Sequence, residues 1–149
     1  MNVYIAGKYT AKDRLKVERD RIRALGFECP STWMDETHTD YTASEELMVE
    51  NAKRDLEEVG EADWLIIDTQ DMSNTGGREV ELGYAFSIGI HVSLVGPKRN
   101  IFHALITDCV KDWDALFRRL GPEDVVLPSM PPGIVDFEGE GDGKVAGTD

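Results

Sequence analysis

Positive charge, cysteine and long apolar runs are all scarce in this chain. Lysine and arginine together number 16 against 29 aspartates and glutamates, a formal net charge of −13. So acidic a chain has no general electrostatic footprint for duplex nucleic acid or an anionic membrane. No apolar stretch approaches the roughly 20 residues that span a bilayer. The opening Met1-Asn2-Val3-Tyr4-Ile5-Ala6-Gly7 lacks the basic n-region and long h-region of a signal peptide. Cys29 and Cys109 lie far apart, with no Cys-x-x-Cys, and build neither a zinc site nor a disulfide framework. Together these absences predict a cytoplasmic chain with no nucleic-acid polymer, membrane or metal among its partners.

What is present suits a packed core. Hydrophobic residues make up 41% of 149 residues, which is one ordinary domain and leaves no place for a fibrous or wholly disordered reading. The charge is uneven. Residues 121–149 carry seven acids and one base, most of the prolines and many glycines. Such a segment cannot offset its ordering entropy unaided. The expected organisation is an α/β domain over 1–120, an extended arm over 121–137 and an acidic, glycine-rich disordered tail over 138–149.

Along the body, apolar runs alternate with helical periodicity. Residues 2–6 read as a buried strand closed by Gly7. Ala11, Leu15, Ile22 and Leu25 recur at helical spacing and stop at Gly26. The bases between them (Lys12, Arg14, Lys16, Arg19, Arg21, Arg23) read as a solvated face. Phe27-Glu28-Cys29 reads as a brief strand ended by Pro30, and Ser44 as the cap of a second helix striped by Met48, Ala52, Leu56 and Val59. Strong strands follow at 63–68 and 91–95, with a helix over 78–88 between them, then a weak strand near 106–110 and a last helix over 113–120. Alternating strands and helices predict a parallel five-stranded sheet covered on both faces. Ligands of such sheets sit beyond the carboxyl ends of the strands.

Three features stand in or beside those loops. Gly7-Lys8-Tyr9-Thr10 sets a small residue and a cation at a helix N-terminus, able to hold an anion or simply to turn the chain. It is neither a dinucleotide fingerprint nor a P-loop. The run from Ser73 to Ala85 brings Gly76 and Gly77 ahead of Glu79 and Glu81. Placed in a first helical turn, Glu81 is expected to stay ionised, as a nucleophile toward a sugar carbon must be. The same placement also describes a plain first-turn acid. Asp55 falls beside the apolar stripe of its helix, where a carboxylate needs a partner such as Lys53 or Arg54, or a purpose. Asp35, His38 and Asp40 match no metal-ligand spacing, and His91 and His103 read as structural.

Taken in order, these segments resemble the nucleoside 2-deoxyribosyltransferase family. Val3-Tyr4-Ile5-Ala6-Gly7 resembles its opening strand, and Asp55-Leu56 followed by Glu61 to Asp68 its middle segment. Gly77 to Ala85, with Glu81-Leu82-Gly83-Tyr84-Ala85, is similar to its signature. The match runs over about residues 2–96. The resemblance implies a flavodoxin-like α/β sandwich and cleavage of the N-glycosidic bond of a (deoxy)nucleoside or its 5′-monophosphate, with no cofactor. It gives Glu81 the role of covalent nucleophile, Asp55 that of handling the proton of the departing base, and Tyr4 that of placing the glutamate. Gly7, Lys8, Tyr9, Thr75, Gly77 and Arg78 become the substrate-binding set.

Six residues before the nucleophile, where transferases of the family carry an aspartate for the sugar 5′-hydroxyl, this chain has Thr75. The nucleotide-hydrolysing branch has a serine there, facing a phosphate. A hydroxyl can donate to phosphate where a carboxylate repels it, and Arg78 and Lys8 offer added charge. The family also shares site residues between subunits, so at least a homodimer is expected. The rival readings are a non-catalytic module that binds a small nucleotide on the same sheet, and a flavodoxin-like redox or signalling domain. The second lacks a hydroxyl-rich flavin loop.

Overall fold

The computed structural model describes residues 1–37, 42–73 and 75–121. The expected arm beyond Gly121 and the acidic tail lie outside the described residues, as do His38 and Asp40. Strands β1 (Val3–Ala6), β2 (Trp64–Asp68), β3 (His91–Val95) and β4 (Cys109–Val110) form one parallel sheet in that spatial order. Every residue of β1 and β2 is buried, as apolar strands covered on both faces should be. Helices α1 (Lys12–Ala24) and α4 (Trp113–Arg119) pack together, with Arg21 over the Phe117 ring at 3.9 Å and bonded to Asp114 at 3.0 Å. Helices α2 (Glu45–Glu61) and α3 (Gly77–Ile88) pair on the other side.

Four strands form where five were expected. Residues 27–29 make one parallel bridge, Glu28 to Asn2, and no ladder. Pro30 has no N–H to extend it. Side chains then take over the edge of β1. Ser31 Oγ accepts from Ile5 N at 2.9 Å, and Trp33 Nε1 donates to Ile5 O at 2.7 Å. The backbone groups of the edge are thereby satisfied without a strand. Counting the bridged segment, the order across the sheet in sequence terms is second, first, third, fourth, fifth. This is the flavodoxin-like order, with its switch point between β1 and β2.

The helix boundaries follow local chemistry. Ser44 Oγ accepts from Leu47 N at 3.2 Å at the start of α2. Gly89, at φ 71°, ends α3 in the left-handed conformation that costs glycine nothing. The basic residues of α1 form a solvated face only in part, since Arg23 is exposed while Lys12, Arg14, Lys16 and Arg21 are half-buried and Arg19 is buried. Arg19 is buried and forks onto Asp35 at 2.8 and 3.0 Å while also reaching the carbonyls of Pro30 and Ser31. Arg14 forks onto buried Asp68 at 3.0 Å through both nitrogens. Asp68, at the carboxyl end of β2, also accepts from Trp113 Nε1 at 2.6 Å, so one carboxylate ties the sheet to both α1 and α4. Bidentate arginine pairs supply geometry as well as energy, and here they fix the loops at the carboxyl end of the sheet.

Candidate active site

A cavity of about 460 Å³ opens beyond the carboxyl ends of β1 and β2, at the switch point. That size is typical of a small-molecule site. Its wall includes Gly7, Lys8 and Tyr9 from the loop after β1, Asp55 from α2, and Thr75, Gly77, Arg78 and Glu81 from the loop after β2 and α3. Every residue expected in the substrate-binding set therefore lies on one wall. Tyr4 sits beneath it, fully buried in β1, and its hydroxyl donates to Glu81 Oε1 at 2.9 Å. Segments distant in the chain meet here because β1 and β2 are neighbours in register.

The electrostatics differ from expectation at Glu81. Helix α3 begins at Gly77, so its first-turn acid is Glu79 and Glu81 falls in the second turn. The N-terminal dipole acts mainly within the first turn. Burial dominates instead and, helped by the nearby charges of Asp55, Glu36 and Glu58, pushes the Glu81 carboxyl up to about 8, although the Tyr4 hydroxyl opposes the rise. Burial likewise raises Asp55, with the Glu36 charge adding and Arg54 opposing, to about 7. Asp55 Oδ1 is buried and accepts no hydrogen bond, its neighbouring cation being Arg54 Nη2 at 3.7 Å. Arg54 also pairs with Glu36. The resting site thus holds two carboxyl groups that keep or share protons near neutral pH, one of them in contact with a tyrosine.

The start of the loop after β2, residues 68–71, is held by arginines. Arg78 is buried, and its Nη1 donates to the carbonyls of Asp68 and Asp71 at 3.1 and 3.0 Å. Arg99 donates to the carbonyls of Thr69 and Gln70 at 2.9 Å each. Arg78 therefore spends much of its guanidinium on backbone carbonyls, which weakens it as a phosphate ligand. Gly96, at φ 119°, passes so close that an added Cβ would stand 2.9 Å from Gln70 N. The N-cap Gly76 gives α3 no side-chain cap, and the first turn of the helix borders the cavity beside Thr75 and Gly77. A bare helix N-terminus offers N–H groups to an oxygen ligand.

Several lining residues carry no motif. Trp33 and Glu36 come from the turn after Pro30, and Met48, Asn51, Ala52 and Leu56 from α2. Tyr9 and Trp33 form a tilted aromatic pair, with centroids 6.5 Å apart. Met48, Ala52 and Leu56, which the sequence places on an apolar stripe with Val59, border the cavity. Helix α2 overhangs the site at this end and buries only Val59 fully at the other.

The remaining candidates are structural. His103 Nδ1 accepts from Arg99 N at 2.9 Å, so Nε2 carries the proton and donates to Glu79 at 2.9 and 3.0 Å. His91 pairs with Asp108 at 2.8 Å at the amino end of β3, away from the cavity. Asp108 is desolvated, yet bonds from His91, Arg119 and Ser93 hold it well below the usual carboxylate range. Asp35 pairs with Arg19. Among the described residues no group of three His, Cys, Asp or Glu side chains is placed to hold a metal ion. No helix among them is long and apolar enough to cross a membrane.

No protein-family model and no curated protein matches the sequence. Solved structures do match in shape. The 2-deoxyribosyltransferase of the psychrotolerant bacterium Bacillus psychrosaccharolyticus superposes with a TM-score of 0.65 at 22% identity, covering 78% of this chain and 90% of that one. The Clostridium botulinum CMP N-glycosidase BcmB superposes with a TM-score of 0.51 at 15% identity, covering 80% and 98%. The chain has the fold that these two enzymes share.

Proposed function

We propose that the protein is an N-glycosidic-bond enzyme of the nucleoside 2-deoxyribosyltransferase type, acting on a (deoxy)nucleoside or its 5′-monophosphate through a covalent glycosyl-Glu81 intermediate. The observation that carries this reading is the Tyr4–Glu81 hydrogen bond at 2.9 Å, set in a cavity that Asp55 also lines. A binding module needs no carboxylate aimed into its cavity and steered by a buried tyrosine. The fold shared with a deoxyribosyltransferase and a nucleotide N-glycosidase supports it.

In this mechanism Glu81 attacks the anomeric carbon as the bond to the base breaks, and Asp55 gives its proton to the departing base. Water or a second base then displaces Glu81 from the sugar, and Asp55 takes the proton released by the water or by the N–H of the incoming base. Two displacements at one carbon retain configuration. The raised carboxyls serve this chemistry: Asp55 near 7 keeps a proton to give at neutral pH, and Glu81 becomes a strong nucleophile once ionised, since burial leaves it poorly solvated. Tyr4 selects which oxygen of Glu81 is held and leaves the other to attack. The bare α3 N-terminus, with Thr75, Gly77 and Lys8, receives the 5′ end of the sugar. A homodimer would cover the stripe Tyr84 and Ile88 on α3, which is exposed at 38% and 41% among the described residues.

The test is incubation with a panel of nucleosides and 5′-monophosphates, with and without a second base, with free and exchanged base read by chromatography. Release of base supports the proposal, and exchange identifies a transferase. Saturable binding with no release from any compound would favour the binding module instead.

A further inference from the structure

The two oxygens of Asp55 stand in different surroundings. Oδ1 is buried and accepts no hydrogen bond among the described residues, while the side chain as a whole is 19% exposed and lines the cavity. Oδ2 is therefore the oxygen open to a ligand. Behind Oδ1 stands Arg54 Nη2 at 3.7 Å, the one cationic nitrogen paired with Asp55 among the described residues. That distance is too long for a hydrogen bond, so Arg54 acts on the carboxyl through its charge. The same Nη2 donates to the Glu36 carboxylate, which anchors it. Glu36 is fixed in turn, since its carbonyl accepts from Lys12 Nζ at 2.6 Å and from the Tyr9 hydroxyl at 3.1 Å. The other titratable groups around Asp55 are Glu58 on its own helix, Glu81 on α3, Tyr4 on β1 and Lys8 on the cavity wall. Glu58 is engaged by the Thr32 N–H at 3.0 Å, and Glu81 by the Tyr4 hydroxyl.

We propose that Arg54 is a positioning residue for proton transfer to the departing base: its guanidinium, anchored on Glu36, makes Oδ1 the acceptor oxygen of Asp55 and so keeps the proton on Oδ2, which faces the cavity. This rests on the glycosidic reading of the site and deepens it. A proton on Oδ1 would lie against a like charge and out of reach of any ligand. From Oδ2 it passes to the base as the Glu81 oxygen bonds to the anomeric carbon and the carbon–nitrogen bond breaks. The electron pair of that bond goes to the base, which takes the proton and leaves neutral. The negative charge left on Asp55 gathers at Oδ1, where the guanidinium already stands to stabilise it. When water or a second base displaces Glu81 from the sugar, Oδ2 takes up the proton released. Glu36 balances the device. Its charge raises Asp55 where that of Arg54 lowers it, so the carboxyl keeps its proton near neutral pH and still gives it up readily.

The test reads Asp55 first in the free protein and then in turnover. The full chain, labelled with carbon-13 at its aspartate carboxyls, is titrated by NMR, the Asp55 signal being identified by its loss in Asp55→Asn. In Arg54→Gln the midpoint of Asp55 should rise from about 7 by about 1 pH unit or more, and Arg54→Lys should restore most of the shift. Glu36→Gln removes the opposing charge and frees Arg54 to act on Asp55, so it should move the midpoint down. In turnover the acidic limb of kcat/KM should rise with the titration in Arg54→Gln, and kcat should fall about tenfold or more with KM little changed, since Arg54 acts only through Asp55. A midpoint in Arg54→Gln that stays within about 0.3 pH units of wild type, or that falls, overturns the proposal. A raised midpoint with unchanged kcat overturns it as well. Should Arg54→Gln not fold, Arg54→Lys and Glu36→Gln carry the test, and a midpoint that does not fall in Glu36→Gln overturns it. The expected titrations in a protein that releases base from no nucleoside would leave the hold of Arg54 on Asp55 standing and overturn the glycosidic reading. Release of base by the wild type, with no shift of Asp55 in Arg54→Gln, would overturn this inference alone.

Discussion

Glu81→Gln should make the protein more stable, and increasingly so as pH rises. The amide that replaces the carboxyl keeps an oxygen for the Tyr4 hydroxyl but cannot ionise. In the wild type, burial raises the Glu81 carboxyl from 4.5 to about 8. The folded state therefore binds this proton more tightly than the unfolded chain does. The contribution of the group to stability is intact below pH 4.5, declines as pH rises through the interval, and is fully lost above about 8. At about 1.36 kcal/mol per tenfold, the whole interval corresponds to a ceiling of about 5 kcal/mol, of which about 1 kcal/mol is already lost at pH 5. Water entering the open cavity reduces that ceiling, so about 2–4 kcal/mol is expected at pH 9. For a domain of this size 1 kcal/mol moves Tm by roughly 2–5 °C. Melting curves of both proteins from pH 5 to pH 9 should diverge, the variant melting within a few degrees of wild type at pH 5 and roughly 5–15 °C above it at pH 9. A constant offset across that range would mean that Glu81 is ionised in the free protein and that the burial argument is wrong.

The other consequences concern activity and assembly. With Asp55 near 7 and Glu81 near 8, the site carries one shared proton between those values, so kcat/KM for a neutral nucleoside should peak between pH 7 and 8. Tyr4→Phe removes a bond that favours ionised Glu81; the alkaline limb should move up by about 1–2 pH units, with the acidic limb unmoved and the plateau about 10-fold lower or more. Thr75→Asp sets a carboxylate beside the bare α3 N-terminus and should lower the kcat/KM ratio of a 5′-monophosphate to its nucleoside by about 10-fold or more, read on both substrates. Ile88→Glu places a charge in the exposed α3 stripe and should shift the protein to monomer in sedimentation, with its Tm losing the dependence on protein concentration that a dimer shows.

The sheet and most helix limits were legible because local chemistry decides them. The apolar run at β2, the Ser44 cap and the Gly89 stop each act over a few residues, and each stands where the sequence indicates. The fifth strand was not legible. Three residues between Gly26 and Pro30 look like a strand, but whether they pair depends on Ser31 and Trp33 meeting Ile5, a tertiary matter. Arg19 was misread for the same reason: interleaved acids and bases suggest a wet surface, while its partner Asp35 lies 16 residues away beyond a turn. At the site, Asp55 and Glu81 could be picked out because each is chemically conspicuous where it stands, whereas Tyr4 is indicated only by the resemblance of its strand to that of the family. Trp33 and Glu36 could not, since nothing in a loop of threonines and acids says which side chains will face a cavity. The ionisation of Glu81 was misjudged because one residue of helix phase moves it beyond the first turn, and because burial is set by packing against β1.

The central claim is that Glu81 becomes bonded to the sugar. A 2-fluoro-2-deoxy-arabinosyl nucleoside slows formation and breakdown of such an intermediate by destabilising the cationic transition states, and so lets it accumulate. Incubated with such a nucleoside carrying a base that the panel shows to be cleaved, the protein should gain the mass of one fluorinated sugar, mapped by peptide mass spectrometry to Glu81 and absent from Glu81→Gln. Turnover of the ordinary substrate with inverted configuration at the anomeric carbon, and no adduct at Glu81, would contradict the account.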